Sequence, residues 1–200
     1  MRINAFILIL MMMALVMGMI FTFAACAGKK ENAKVEEIKV TDVYRKLRNQ
    51  VFTISPQDIG IELKSKTQPW GILMEFGLPG AVVTLVTFGS GEASMYFSSG
   101  GGVLGGGEHE TVRKAAKAFV AFSETYLEKM KPGSTYPLPK DGNVKFLVLT
   151  GKGVFSSQEF LETDLRENKS KFSPLFHKGH QLITELRLIS ERMEREGSTK

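Results

Sequence analysis

Three segments close together decide the fold: Trp70-Gly-Ile-Leu-Met-Glu-Phe76, then Ala81-Val-Val-Thr-Leu-Val-Thr-Phe88, then Ala93-Ser-Met-Tyr-Phe-Ser98. Each is short, apolar and rich in residues that favour strands. Leu78-Pro79-Gly80 joins the first to the second, and Gly89-Ser90-Gly91 the second to the third. Links this short permit only antiparallel hairpins, so the stretch reads as a three-stranded meander. By alternation, Trp70, Ile72, Met74 and Phe76 share one face, and Gly71, Leu73 and Glu75 the other.

Outward from the meander, Gly100-Gly-Gly-Val-Leu-Gly-Gly-Gly107 leads into a helix from His109 to Met130. Val112, Ala116, Phe119, Val120 and Leu127 recur there at helical spacing, and Lys131-Pro132-Gly133 ends the run. Val144, Phe146 and Val148 alternate through a fourth strand, and Gly151-Lys152-Gly153 turns it toward a short fifth near Val154. Ser156 and Glu159 carry capping-box spacing for a brief helix through Arg166. Ser173 and Pro174 open the last helix, striped by Leu175, Gly179, Leu182, Leu186, Ile189 and Met193. Gly179 lies on that stripe, where close packing against the sheet accounts for a residue that costs a helix about 1 kcal/mol. Upstream, Thr41 caps a short helix striped by Val43, Tyr44 and Leu47.

The class is therefore α+β: an antiparallel sheet of four to five strands with two long helices packed on one face. The order of elements resembles profilin-like and roadblock-like domains in outline only. The organisation expected is a leader over 1–25, a flexible tether over 26–40, one globular domain over 41–195 and a disordered tail over 196–200.

The 200 residues are 43% hydrophobic and 24% charged, with net charge +5. The basic residues are scattered and form no block, so no nucleic-acid partner is expected. Cys26 is the single cysteine and cannot form a disulfide framework within one chain.

Met1-Arg-Ile-Asn4 precedes a nearly unbroken apolar run from Ala5 to Phe23, followed by Ala24, Ala25 and Cys26. This is the pattern of an export signal. Its ending resembles the lipobox of bacterial lipoproteins, with Phe23 where Leu is commoner. The resemblance implies cleavage before Cys26, acylation of its thiol and usually of the new amino terminus, and a membrane partner through the acyl chains. Ala27 after the cysteine implies the outer membrane of the envelope where there is one. A plain transmembrane anchor is the competing reading, because the run approaches the roughly 20 residues that span a bilayer.

Among candidate sites, Gly100, Gly102 and Gly105 match a G-x-G-x-x-G pattern before His109, the pattern of a backbone cradle for phosphate. Glu108 and Glu110 at the helix start would repel an anion, and no acidic residue stands where a ribose would need one. No dinucleotide or other cofactor is expected. His177 and His180, three apart on the last helix and placed off its apolar stripe, form a candidate metal pair with His109 as possible third ligand. Ser98 with His109 makes a conceivable nucleophile and base, though no G-x-S-x-G elbow is present. The sequence thus favours a membrane-anchored envelope lipoprotein acting as a non-enzymatic binding or protein-interaction module. The alternative is a metal-dependent or serine-type hydrolase using the Ser98–His109 segment with His177 and His180.

Overall fold

The computed structural model describes residues 37–197. The leader, Cys26, most of the tether and the last three residues of the tail lie outside the described residues. In chain order the elements are α1 (Asp42–Thr53), β1 (Pro69–Leu78), β2 (Ala81–Phe88), β3 (Ala93–Phe97), β4 (Gly102–Val103) and α2 (Glu110–Ser123). After a 3-10 turn (Glu124–Lys129) come β5 (Lys131–Gly133), β6 (Asn143–Thr150), β7 (Gly153–Ser156), β8 (Phe160–Leu161), α3 (Glu162–Arg166) and α4 (Ser173–Gly197).

The fold is α+β, on one antiparallel sheet in the order β4-β3-β2-β1-β6-β7-β5, with β8 also paired to β6. The expected meander is present, with Met74 opposite Leu85 and Leu85 opposite Met95. The sheet has eight strands where the sequence indicated four to five. The added strands are two or three residues long and carry too few side chains to show an alternating pattern. One of them, β5, is the Lys131-Pro132-Gly133 segment that reads in sequence as a helix stop; here it pairs with β7.

The two long helices lie on one face. Ile72, Met74, Leu85, Phe146 and Val148 meet Phe119 of α2 and Leu182 of α4 in one fully buried core. Gly179 packs as its position suggests: a Cβ there would stand 2.2 Å from Met74 Cε and 3.1 Å from Phe119 Cζ. Met193, read as the end of the stripe, is 62% exposed, while Ile189 is buried. The last turns of α4 have left the core.

The opposite face is covered too, so the domain has three layers. α1 lays Tyr44 and Val51 over Leu73, Val86, Tyr96, Leu147 and Leu149. Central strands apolar on both faces demand such a cover, but the short stripe of α1 hides it. Val43, placed on that stripe in sequence, points outward at 67% exposure. Thr41 caps α1 as expected, its Oγ1 accepting the Tyr44 amide at 3.3 Å. The Lys39 amide donates to Gly80 O and the Thr41 amide to Ser98 O, so the folded part begins before the tether boundary read from sequence.

Trp70 departs from strict alternation. Between Pro69 and Gly71 the β1–β6 register slips by a bulge, and such an extra residue re-aims side chains. Trp70 therefore joins the Leu73 face and stacks on Phe88 at 5.9 Å and 10°. Gly71 makes room, since a Cβ there would meet Phe88 and Leu149 at 2.9 Å.

Ser156 and Glu159 do not form a capping box. Ser156 ends β7, and Glu159 Oε2 accepts the Lys140 amide and Asn143 Nδ2 at 3.2 and 2.9 Å. Among the described residues no helix is long and apolar enough to cross a membrane.

Candidate functional site

The glycine-rich link is built as a turn and a strap. Gly100, Gly101 and Gly102 have φ of 110°, 83° and 146°, and Gly105 has 73°. The chain reverses there, and β4 returns along β3 with Gly102 opposite Tyr96. A side chain at Gly102 would meet Met95 O at 2.3 Å, so glycine is required for this close approach. The Arg113 guanidinium then donates to the carbonyls of Gly107 and Glu108 at 3.0 and 3.1 Å. These carbonyls face a cation of the protein itself, an arrangement of strap and clamp. His109 precedes α2 half-buried, and its side chain makes no capping hydrogen bond.

Ser98 is fully buried, and its Oγ accepts the Val82 amide at 2.8 Å. His177 Nε2 lies 3.0 Å from Asn168 Oδ1. His180, placed at the surface by the helical wheel, instead packs its ring between Phe176 and Phe76, at 4.3 and 5.5 Å. Its Nε2 is buried without a hydrogen-bond partner. Burial first, then the neighbouring His177, hold its pKa below the ordinary value, against the opposing charge of Glu162. Among the described residues no three His, Cys, Asp or Glu side chains gather as a metal site, so His109 does not complete one with His177 and His180.

Two features had no forecast. The first lies under α1. Glu75, with its side chain fully buried, receives Arg48 Nε at 2.6 Å and Arg48 Nη2 at 3.0 Å. Arg48 Nη2 also donates to Tyr136 O, and Thr84 Oγ1 donates to Glu75 at 3.2 Å. Across the strands Glu75 stands opposite Thr84 on one side and Lys145 on the other. Tyr44 shares a 2.8 Å hydrogen bond with Thr84. Burial, then the charge of Glu75, push the Tyr44 phenol up to about 12, and the same causes with Tyr44 raise Tyr96. Burial opposes the charge on Arg48, but Glu75 outweighs it and raises its pKa. A recess of about 270 Å³ opens beside Arg48, Tyr44 and Leu138.

The second is a groove of about 870 Å³ at the β5 end of the sheet. Two short strands pair in series with β6: β7 with its second half, β8 with its first. The crossing from one to the other steps the sheet edge and leaves a hollow against the α3–α4 connection. Phe160 and Phe172, with centroids 4.6 Å apart, line it beneath Leu161, which is 54% exposed. Lys129, Lys131, Lys169 and Lys171 also line it, with two acids, Glu159 and Asp164. The signal available in sequence was a pair of Lys-x-Lys motifs, Lys129 with Lys131 at the start of β5 and Lys169 with Lys171 in the α3–α4 connection. Forty residues separate them, and only the fold brings them to one hollow.

Comparison of the chain with protein-family models, with characterised proteins and with solved structures finds no match in any of the three.

Proposed function

We propose that the chain is a lipoprotein of a bacterial envelope, held to the membrane by acyl groups on Cys26, whose folded domain is a non-enzymatic binding module. The leader ending in Phe23-Ala24-Ala25-Cys26 supports the anchor, and two or more acyl chains give stable attachment where one is marginal. The groove carries the binding reading: it is a hollow of about 870 Å³ lined by Phe160, Phe172 and four lysines. Ser98 lends no support to a hydrolase, because its hydroxyl accepts a backbone amide inside the sheet. Ala27 after the cysteine favours the outer membrane.

The test is the intact mass of protein extracted from its native membrane, beside a Cys26→Ser version. Loss of the leader with acyl mass that depends on Cys26 supports the anchor; a retained leader without lipid overturns it. A photo-crosslinker at Leu161 should capture a partner or ligand in the envelope more strongly than one at Val43 on the outer side of α1. Equal capture at both would remove the groove as the binding site.

A further inference from the structure

We infer that the groove between β5, β8 and the α3–α4 connection takes an amphiphilic oxyanion, a phosphate or carboxylate carrying a short apolar group. This inference rests on the binding-module reading and names the ligand chemistry of that site.

The charges leave an anion as the missing partner. Of the four lysines, Lys169 is paired with Glu167 at 2.6 Å, and the Lys129 ammonium stands 5.0 Å over the Tyr126 ring. Lys131 and Lys171 line the groove with no acidic partner among the described residues. Glu159, whose Oε2 accepts the Lys140 amide and Asn143 Nδ2, and Asp164 together offset two of the four lysine charges and leave the lining net positive.

Neutral polar recognition is largely used up inside the protein. Ser156 Oγ donates to Ser157 O at 3.1 Å, and Ser157 Oγ donates to Gln158 O at 2.6 Å. An added peptide strand is poorly served as well. β5 is the last strand of the sheet path and only three residues long, and Pro132 at its centre has no amide to give. Ammonium groups therefore recognise the ligand's head. The exposed side chain of Leu161, beside Phe160 and Phe172, offers its apolar part a surface to cover. A membrane headgroup and a soluble organic phosphate both have this chemistry, and the experiment separates them.

The full chain is reconstituted in nanodiscs of neutral phosphatidylcholine. Acetylation of each lysine is followed by mass spectrometry, with hexyl phosphate as the probe and hexanol as its uncharged control. Lys131 and Lys171 should react about threefold or more slowly with hexyl phosphate, with no slowing by hexanol and none at Lys64 or Lys117. Leu161→Ser should raise the hexyl phosphate concentration needed for half-maximal protection about fivefold, the size of a 1 kcal/mol loss. Selective protection in nanodiscs containing phosphatidylglycerol, without added ligand, identifies a lipid headgroup as the source. Protection that needs hexyl phosphate identifies a soluble anion. Absence of selective protection in both settings overturns the inference, as does equal slowing at Lys64 and Lys117. Neither result touches the Cys26 mass measurement or the Leu161 crosslinking, so the binding-module reading stands or falls separately.

Discussion

Arg48 of α1 closes both arms of its guanidinium on Glu75, a carboxylate fully buried at the centre of β1. This pair fixes the first helix to the sheet. A helix with so short an apolar stripe gains its place here through a two-armed charged contact, which sets both position and rotation. The pair is also exposed to failure, because a buried charge that loses its partner is costly.

Removing either partner should destabilise the domain, but unequally. Arg48→Met leaves Glu75 with Thr84 and with Lys145, its neighbour across the strands. Glu75→Gln leaves Arg48 without its anion in a largely buried setting. We expect about 3 kcal/mol lost for Arg48→Met and more for Glu75→Gln, with Arg48→Met/Glu75→Gln milder than the sum. Urea denaturation of the three variants measures this. Additive losses would show that the pair is not coupled.

Alkaline pH should loosen the same layer. Tyr44 has an ordinary value of 10.0 raised to about 12, chiefly by burial and then by Glu75. A raised folded value means that this contribution is complete below pH 10 and lost as pH rises toward 12. Tyr44→Phe removes that part of the alkaline slope while losing the hydrogen bond to Thr84 at every pH. Denaturant midpoints between pH 8 and 11 would show the variant's curve to be flatter, and parallel curves would rule Tyr44 out as a source of the slope.

How much of this was readable follows the length of each element. β1, β2, β3 and β6 carry clear alternation, and α2 and α4 enough turns to show their faces. Trp70 escaped because a bulge changes the parity, and one extra residue leaves no mark on composition. His180 lies outside the aliphatic stripe of α4, but Phe176, one turn earlier on the same helix, and Phe76 of β1 cover it with their rings. The glycine link matched a phosphate pattern, yet positive φ and close approach serve a tight turn equally well. The lysine groove joins segments 40 residues apart through strands of two to four residues, so no local window contains it.

Gly179 should not tolerate alanine, despite the gain in helix propensity of about 1 kcal/mol. A Cβ would stand 2.2 Å from Met74 Cε and 2.7 Å from its sulfur, and Met74 is itself fully buried in the core. Overpacking of this kind costs about 1–3 kcal/mol, so a net loss is expected. Met74→Val shortens the offending side chain and should recover part of that loss in the Gly179→Ala background, although alone it opens a cavity. A double-mutant cycle by thermal or urea unfolding decides. Additivity would mean that the contact at Met74 is not what excludes alanine.

Acid should weaken the helix layer through His180. Its ordinary value of 6.5 is lowered in the folded state, with burial the leading cause, His177 adding to it and Glu162 opposing. The folded protein therefore holds the neutral ring, and the unfolded chain takes up the proton first. Stability from this residue is complete above pH 6.5 and is lost as pH falls through 6.5 toward the lower folded value. The aromatic contacts with Phe76 and Phe176 would then surround a cation whose Nε2 has no partner. His180→Leu keeps an apolar side chain between the rings and removes the titration. The difference in denaturant midpoint between wild type and His180→Leu should move in favour of Leu as pH goes from 7.5 to 5.0. His177 and Glu162 remain in both proteins, so the comparison isolates the change at His180. A difference independent of pH would show that His180 has the same affinity for protons folded and unfolded.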